Sequence, residues 1–362
     1  MALKVLQIIN SLSTGGAEKL IVETLPLYRG LGVEMDVLLF DGTQFPFYKK
    51  LEETKCCAIF SLGLKSVYNP IAIFKIIPYL RKYDAIHVHL FPAQYFVVLA
   101  KWMSFSKTKL IFTEHNTSNR RLENPLFKWI DQFIYRGYCK IVCITEEIQK
   151  IILFHTQLPS SRSEVIFNGI ALSEYTQAAP YEKEFLKFKE TDKIVIQVSG
   201  FREQKDQSTL IKSLLHLPQE VKLVLVGDGV LKNSCEDLVS QLGLQHRVFF
   251  LGVRTDVPRL LKTADIVVLS SKYEGLSLSS IEGMASGKPF IASNVPGLSE
   301  VVSGAGVLFT QGDEKELSQK IMELLNDEKL YQVVAKSCEI RANEYDIKKM
   351  VAQHMSLYES LV

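Results

Sequence analysis

The sequence predicts an α/β fold made of two doubly wound domains in tandem. A chain of 362 residues exceeds the size that one hydrophobic core usually serves, so two domains are expected. Short apolar runs rich in Val and Ile alternate with helix-like patterns, which is typical of parallel strands joined by crossover helices. The alternation repeats in the second half, so each half is expected to form its own sheet.

Continuous apolar runs in the first half indicate strands that are buried on both faces of a sheet. These strands are expected at Lys4–Ile9, Glu34–Phe40, Ala58–Ser61, Ala85–Leu90, Lys109–Thr113, Lys140–Ile144 and Glu164–Phe167. The helical patterns between them are expected at Ala17–Tyr28, Ile71–Lys82 and Pro125–Tyr138.

The second half repeats the same order of elements. Its strands are expected at Lys193–Ser199, Lys222–Val226, Val248–Leu251, Ile266–Leu269, Pro289–Ala292 and Gly306–Phe309. Its helices are expected at Gln207–Leu215, Leu231–Leu242, Val257–Lys262, Leu278–Ala285, Lys315–Asn326, Leu330–Ala342 and Ile347–Leu361.

The domain boundary is expected after the turn signal Asn168-Gly169, where a polar stretch begins. We therefore assign residues 1–175 to a first domain and residues 176–344 to a second. Residues 345–362 form a last helix with no strand after it, and we expect this helix to pack back on the first domain. Ligands of open α/β sheets bind beyond the carboxyl ends of the strands, so residues that follow strands are the candidates for a site.

The composition is that of an ordinary globular protein, with 47% hydrophobic residues, 23% charged residues and a net charge of +2. This balance argues against long disorder and against a nucleic-acid partner. The six cysteines include no C-x-x-C pair, which favours reduced thiols and a cytoplasmic protein. No apolar run reaches the roughly 18–20 residues of a membrane span, and Lys4 is followed at once by a strand rather than a leader.

The strongest chemical signal is the segment from Ser271 to Pro289, which follows a strand and opens a helix. Glu274 and Glu282 lie eight residues apart in it. A glycine loop before a helix presents backbone N–H groups and the positive helix end to an anion, and a carboxylate accepts hydrogen bonds from vicinal hydroxyls. Either glutamate by itself is more often an ordinary loop or surface residue, but the whole pattern favours a site.

This segment resembles the signature of the retaining glycosyltransferases of family four, also called glycosyl transferases group 1. The resemblance rests on the two glutamates, Gly287-Lys288-Pro289 and Val295-Pro296-Gly297. It implies the GT-B fold, in which two Rossmann-like doubly wound domains face each other across a cleft. It also implies that Glu274 contacts hydroxyls of the donor sugar and that Glu282 holds the ribose.

The loop amides after Glu274 would then face the donor sugar and its diphosphate. They belong to Gly275, Leu276, Ser277 and Leu278. The family often has an aromatic residue where Leu276 stands, so this departure leaves the sugar preference open.

A second constellation follows the first strand of the second domain. Cations there would neutralise the charge of a departing diphosphate, as a metal ion does elsewhere. Lys205 matches the lysine that the family uses for this purpose, whereas Gly200 stands where the family has an arginine. Arg202 is the nearest replacement, and an ordinary exposed arginine explains it equally well.

Further candidates follow strands of the first domain. Gly15 and Gly16 occupy the first strand–helix turn, where the family's Gly-Gly-Ala-Glu meets the diphosphate. His115 directly follows a strand, and relatives place a histidine there beside the donor sugar. His87 and His89 share one face of a strand, and because no third ligand is evident, packing or acceptor contact is favoured over a metal site. In the second domain, Val253 follows a strand where relatives read the base.

The sequence therefore predicts a retaining glycosyltransferase that moves a hexosyl or N-acetylhexosaminyl group from a nucleotide diphosphate sugar, with UDP favoured over GDP and ADP. The expected acceptor is a glycan or polyprenyl-linked saccharide in cell-surface polysaccharide synthesis. No cofactor and no metal are expected, because no D-x-D cluster occurs. Two alternatives stay open, namely a nucleotide-sugar epimerase of the same architecture and a non-catalytic partner subunit.

Other enzyme classes fit less well. Gly227 and Gly229 begin a dinucleotide fingerprint, but Lys232 replaces its third glycine. The residues Gly283 to Lys288 fall one short of a P-loop. One stretch of the first half mixes basic and aromatic residues, namely Lys101, Trp102, Phe105, Lys107 and Lys109. Such a stretch is typical of peripheral contact with the inner face of a membrane, and it is equally typical of ordinary helix ends.

Overall fold

The computed structural model describes residues 3–13, 15–115 and 125–361. Contacts divide the chain into two compact units, one of residues Met1–Gly169 with Ile347–Val362 and one of residues Ile170–Asp346. The division falls upstream of the expected boundary after residue 175. The reason is that the short helix Leu172–Thr176 packs on the helices Val257–Thr263 and Leu278–Ala285 of the second unit.

The first unit is a parallel sheet with helices between its strands. Its strands are β1 Lys4–Ile9, β2 Glu34–Leu39, β3 Ile59–Ser61, β4 Ala85–His89, β5 Lys109–Glu114, β6 Lys140–Cys143 and β7 Ser163–Val165. Its helices are α1 Gly16–Gly30, α2 Pro46–Thr54, α3 Ala72–Ile76, α4 Ala93–Met103, α5 Pro125–Tyr135, α6 Glu146–Thr156 and, at the end of the chain, α15 Ile347–Leu361.

The second unit repeats this architecture. Its strands are β8 Lys193–Val198, β9 Val221–Val226, β10 Val248–Gly252, β11 Ile266–Leu269, β12 Phe290–Ser293 and β13 Val307–Phe309. Its helices are α7 Leu172–Thr176, α8 Gln207–Ser213, α9 Lys232–Gln241, α10 Val257–Thr263, α11 Leu278–Ala285, α12 Ser299–Val302, α13 Glu314–Asn326 and α14 Glu328–Ala342.

All strands in both sheets are parallel, and the strand order of each sheet reverses at an equivalent point. The strand order is β3-β2-β1-β4-β5-β6-β7 in the first unit and β10-β9-β8-β11-β12-β13 in the second. Apolar residues along β1, β4, β8 and β11 are almost fully buried, as expected for strands covered on both faces. The order reverses between β1 and β4 and again between β8 and β11, where an open α/β sheet has its crevice.

The expected helix Ile71–Lys82 is wrong in its second half. Helix α3 ends at Ile76, and the chain continues in tight turns in which the N–H of Tyr79 bonds to the carbonyl of Ile76 at 2.9 Å. Pro78 explains the stop, because proline has no N–H to donate and disfavours helical backbone in the residue before it. The structure also contains helices α2, α4, α6, α7 and α12, at positions where no helix was expected.

The C-terminal helix α15 lies in the first unit and packs on α1. The rings of Tyr28 and Tyr358 are 6.0 Å apart at this contact. Tyr358 is completely buried, so α15 contributes to the interior of the first unit rather than covering it loosely. None of the helices in the described ranges has the length and hydrophobicity of a bilayer-spanning segment.

Candidate active site

The loops after β8 and β11 meet at the crevice of the second sheet. Because these two strands are neighbours, their carboxyl ends bring Lys205 and Glu274 together, and the Lys205 ammonium forms an ion pair with Glu274 Oε1. The side chains are only 16% and 6% exposed. Two of the predicted residues, far apart in sequence, are therefore in direct contact at the predicted edge of the sheet.

Neighbouring polar side chains hold Glu274 in place. Ser271 Oγ donates to Glu274 Oε1 at 2.6 Å, and Gln204 Nε2 lies 3.3 Å from Oε2. Gln204 Nε2 also donates to the carbonyl oxygen of Tyr273 at 2.9 Å. Both carboxylate oxygens thus have partners, which is the condition for burying a charged group.

Sequence reasoning assigned no role to Ser271 or Gln204. Each stands within a segment that had been singled out, Ser271 three residues before Glu274 and Gln204 directly before Lys205. Sequence proximity was thus a usable signal, but it did not say which neighbour points at the carboxylate.

Close backbone contacts fix the shape of the loops. Gly297 has φ +81°, and a Cβ there would collide with the carbonyl oxygens of Glu274 and Gly275. Gly227 has φ +134°, and a Cβ there would collide with the carbonyl oxygen of Ser199. Because glycine adopts positive φ without strain and has no side chain, these residues allow backbone to approach backbone. The loop that carries Glu274 is therefore held in place by close backbone contact with the loop that carries Gly297.

Gly200 and Arg202 lie side by side in the loop after β8. The backbone of Gly200 is not in the left-handed region, and a Cβ there would meet Asp228 O at 3.5 Å and Arg202 Nε at 3.7 Å, which are ordinary contacts. A Cβ would thus fit at position 200, and the Arg202 side chain lies next to that space. Arg202 itself is exposed.

Helix α11 begins where the loop after Glu274 ends. Gly275 and Leu276 lead to the N-cap Ser277, and Leu278 is the first helical residue. The first N–H groups of a helix have no intrahelical partner and attract anions. Glu282 lies one turn further and is buried, which rules out the ordinary surface position considered for it.

Val253 directly follows β10 and is largely exposed. The strand end beside it is joined to the loop after β9, because the N–H of Gly227 donates to the carbonyl of Gly252 at 2.8 Å. The predicted donor-side residues of the second unit thus all lie in loops or helix starts at the carboxyl ends of its strands.

Gly15 and Gly16 lie where β1 turns into helix α1. Gly15 is the N-cap of α1, and a Cβ there would collide with the Glu18 carboxylate. Glu18 is buried, so the first turn of α1 carries a negative charge next to its positive end, which stabilises the helix. The glycine therefore makes room for a carboxylate of the chain itself.

His115 follows β5, is partly buried, and its Nε2 lies 3.1 Å from Nδ1 of His89. Burial lowers the pKa of His115 to about 4 and holds the pKa of His89 well below its usual value. Both imidazoles are therefore neutral near pH 7. The pair His87 and His89 is explained by packing and hydrogen bonding inside the first unit, because both rings have protein partners.

One set of metal-ligating side chains comes close together in the described parts of the chain. It consists of Glu182, Glu184 and Glu190, which are all exposed. Exposed carboxylates often cluster without a ligand, and these three do not belong to the loops around Glu274.

The fold and the loops at its crevices define the class of the protein. Two parallel α/β units with the same order of strands form the GT-B fold of glycosyltransferases. The model of "Glycosyl transferases group 1" matches residues 180–339, and that of "Glycosyltransferase Family 4" matches residues 14–174. The chain belongs to this family and is a glycosyltransferase.

Individual relatives agree with this assignment. The chain is 29% identical over 291 residues to N-acetyl-alpha-D-glucosaminyl L-malate synthase of Bacillus anthracis, covering 76% of this chain and 74% of the relative. It is 24% identical over 316 residues to UDP-Gal:alpha-D-GlcNAc-diphosphoundecaprenol alpha-1,3-galactosyltransferase of Escherichia coli, covering 83% and 81%. Such names favour a transferase over the epimerase and the non-catalytic subunit.

A similar solved structure is that of HepE from Anabaena in complex with UDP and glucose. It matches with a TM-score of 0.85 and 23% identity, covering 99% of this chain and 100% of that chain. At this identity the match supports the fold, and the chemistry of the site has to be argued from the residues.

Proposed function

We propose that the protein transfers a hexosyl or N-acetylhexosaminyl group from a UDP-sugar to a hydroxyl of a lipid-linked saccharide, with retention of configuration. The observation that carries the proposal is the ion pair of Lys205 and Glu274 at the crevice of the second sheet. A nucleotide sugar offers groups for both partners, because its diphosphate attracts the ammonium and its hydroxyls donate to the carboxylate.

The proposed reaction needs little from the protein beyond charge and position. The bond between the anomeric carbon and the diphosphate oxygen breaks, and the leaving group takes the electron pair. Lys205 and Arg202 stabilise the negative charge that develops there. The acceptor oxygen bonds to the anomeric carbon on the same face, and its proton passes to the leaving phosphate oxygen. No side chain is assigned as a general base.

The remaining roles follow from the family resemblance. Glu274 binds the donor sugar, Glu282 binds the ribose, and the first N–H groups of α11 face the diphosphate. His115, Gly15 and Gly16 are proposed to contact the substrates, and Val253 to lie at the base. The exposed Arg202 beside Gly200 is proposed to replace the family's arginine, since its side chain lies next to the space that a larger residue at 200 would enter.

Uridine is the proposed nucleotide because the E. coli relative is named for UDP-Gal and HepE is bound to UDP. Metal-independent transfer is proposed because two cationic side chains stand at the crevice where a metal would otherwise neutralise the diphosphate. Full activity after exhaustive chelation is the expected result.

The acceptor is proposed to be bound at an anionic membrane, as the diphosphoundecaprenol in the E. coli relative's name suggests. The first unit exposes large aromatic side chains on neighbouring elements. Phe105, Trp129, Phe133 and Phe154 are 91%, 71%, 53% and 74% exposed, and the rings of Phe133 and Trp102 lie 4.5 Å apart. We call these four exposed residues the aromatic face.

A basic residue lies against the aromatic face. The Lys128 ammonium lies 5.2 Å from the ring centre of Phe154. Lys101 lies on helix α4 directly before Trp102. Aromatic rings with cations at their edge suit the interface of an anionic bilayer.

A nucleotide-sugar screen tests the donor. UDP-sugars should raise the melting temperature of the protein, because a ligand that binds the folded state stabilises it. Glu282→Ala should weaken UDP binding by roughly 1–3 kcal/mol through lost charged hydrogen bonds. Stabilisation by GDP- or ADP-sugars alone would refute the uridine proposal, and unchanged affinity in Glu282→Ala would refute the ribose role.

Vesicle co-sedimentation tests the membrane contact. The protein should bind vesicles of phosphatidylglycerol and phosphatidylcholine at low salt, but not vesicles of phosphatidylcholine alone. Replacing Trp129 and Phe133 by Ser should abolish this binding, whereas Phe185→Ser, an equally exposed aromatic of the second unit, should leave it unchanged. Equal binding by both variants would contradict the assignment of the face.

A further inference from the structure

A chain of hydrogen bonds in the first unit ends at the imidazole of His115. The chain runs from His115 through His89 to Gln7, and from Gln7 to Tyr358 on the C-terminal helix α15. A neutral imidazole has one donor nitrogen and one acceptor nitrogen, so the partner on one nitrogen determines what the other can do.

The amide of Gln7 sets the direction of the chain. Its Nε2 lies 3.2 Å from Met35 Sδ and 3.2 Å from Tyr358 Oη, and its Oε1 lies 2.7 Å from His89 Nε2. A thioether sulfur can only accept a hydrogen bond. The reversed amide would place its oxygen against this sulfur, acceptor against acceptor, so the orientation with the nitrogen next to Met35 is favoured.

The protons of the two histidines then follow in sequence. Gln7 Oε1 can only accept, so His89 donates from Nε2. Because burial keeps His89 neutral, its Nδ1 has no hydrogen and accepts from Nε2–H of His115 at 3.1 Å. His115 is also neutral, since its pKa is lowered to about 4. Its Nδ1 is therefore left as an acceptor.

The other end of the chain agrees with this direction. Tyr358 Oη accepts from Gln7 and donates to His87 Nδ1 at 2.7 Å. His87 then donates from Nε2 to Thr113 Oγ1 at 2.6 Å. Each group has a donor facing an acceptor without any charged histidine, and Tyr358 of α15 holds the Gln7 amide from the side opposite to His89.

We propose that Gln7 and His89 are positioning residues that hold His115 as the tautomer protonated on Nε2, so that its Nδ1 accepts a hydrogen bond from a sugar hydroxyl. The proposal rests on the proposed function in one respect, namely that His115 contacts the substrate. It excludes a donor role of His115 toward a phosphate oxygen, because a bare imidazole nitrogen repels an anion.

Nitrogen-15 NMR of histidine-labelled full-length protein tests the tautomer without any substrate. The spectrum of the wild type at pH 7, assigned with His115→Asn, should show His115 protonated on Nε2 and bare on Nδ1. Gln7→Leu removes the acceptor for His89 and should redistribute the His115 proton between both nitrogens. Gln149→Leu, which removes a hydrogen-bonded amide elsewhere in the first unit, should leave the tautomer unchanged.

Two results would overturn the proposal that Gln7 and His89 hold the tautomer of His115. One is a wild-type His115 protonated on Nδ1, a result that does not depend on the folding of Gln7→Leu. The other is an unchanged tautomer in a folded Gln7→Leu protein. Tyr358→Phe removes one of the two partners of the Gln7 amide nitrogen and should give a smaller redistribution in the same direction.

Titration with the UDP-sugar that binds tests the hydroxyl. The bare Nδ1 resonance of His115 should shift in the direction of a hydrogen-bonded nitrogen, and Gln7→Leu should lower kcat/KM by about 10-fold, as loss of an orienting partner does elsewhere. An unshifted Nδ1 resonance at saturating donor overturns the hydroxyl contact. Failure of every nucleotide sugar to bind would instead refute the proposed function. The substrate-free spectrum would still show whether Gln7 and His89 hold the tautomer of His115.

Discussion

At the scale of single residues, the Lys205 ammonium is bound by the Glu274 carboxylate. We expect the substrate to compete with this carboxylate for the ammonium. The Lys205 ammonium bonds to Glu274, which Ser271 and Gln204 already hold. In the proposed complex the diphosphate would be a second acceptor for the lysine, and Glu274 would keep its hydrogen bonds from Ser271 and Gln204. Lys205 could therefore move from Glu274 to a ligand while both charged groups keep hydrogen-bond partners.

We expect Lys205→Ala to lower kcat by about 10²–10³-fold, the usual cost of removing one electrostatic stabiliser. It should also destabilise the second unit by roughly 1–3 kcal/mol, because the buried Glu274 loses its cation. Lys222→Ala is the matched control, since Lys222 is 18% exposed and lies 3.9 Å from Asp192. Steady-state rates and urea unfolding measure both effects, and near-normal turnover of Lys205→Ala would remove the leaving-group role.

At the scale of elements, the site depends on how loops at the strand ends pack on one another. The loop around Gly297 touches the backbone of Glu274 and Gly275, and the loop around Gly227 touches that of Ser199. These contacts are between backbone atoms, so they constrain the course of the chain rather than the identity of the side chains. A small change in one loop is thus expected to displace the residues of the next.

Gly297→Ala should be destabilising and should weaken donor binding. The new Cβ has to avoid the carbonyl oxygens of Glu274 and Gly275 in a backbone conformation that already costs about 1–2 kcal/mol for alanine. Gly304→Ala separates the two causes, because Gly304 has φ +75° and open space around it. Calorimetry and UDP titration should show the conformational cost alone in Gly304→Ala. Equal losses of stability and of UDP affinity in both variants would argue against a role for the contact between Gly297 and the backbone of Glu274 and Gly275.

At the scale of the molecule, each unit has its own core, and that of the first contains several neutral histidines. Burial lowers the pKa of His354 on α15 to about 4 and that of His115 to about 4. A histidine whose folded pKa lies below its unfolded value of about 6.5 binds fewer protons when folded. Stability is therefore fully present above about pH 6.5 and is lost as the pH falls toward 4.

The first unit should accordingly be sensitive to acid. His354→Leu should reduce the loss of unfolding free energy between pH 7 and pH 4.5 by about 2–3 kcal/mol, from the shift of His354 alone. The exposed His216 of the second unit provides the control variant His216→Gln. Chemical unfolding at several pH values measures the slopes, and equal slopes for wild type and His354→Leu would contradict the assignment.

Much of the fold was predictable because strands buried on both faces leave continuous apolar runs. The expected and observed bounds are identical for strands Lys4–Ile9 and Ile266–Leu269 and for helix Leu278–Ala285. Helix α4 (Ala93–Met103) escaped because no capping side chain marks its start, where Pro92 is the N-cap. Helix α6 carried a usable signal, the N-cap Thr145, whose hydroxyl accepts from the N–H of Ile148 at 3.1 Å.

The sequence by itself determined the alternation of strands and helices, the family and the segments that follow the strands, because periodicity and local spacing are properties of the chain. Only the tertiary structure decided that Lys205 pairs with Glu274 and that the Gln7 amide oxygen bonds to His89 Nε2. These contacts join residues that are distant in sequence. Their geometry depends on strand order and on backbone contacts between loops, and neither leaves a local pattern in the chain.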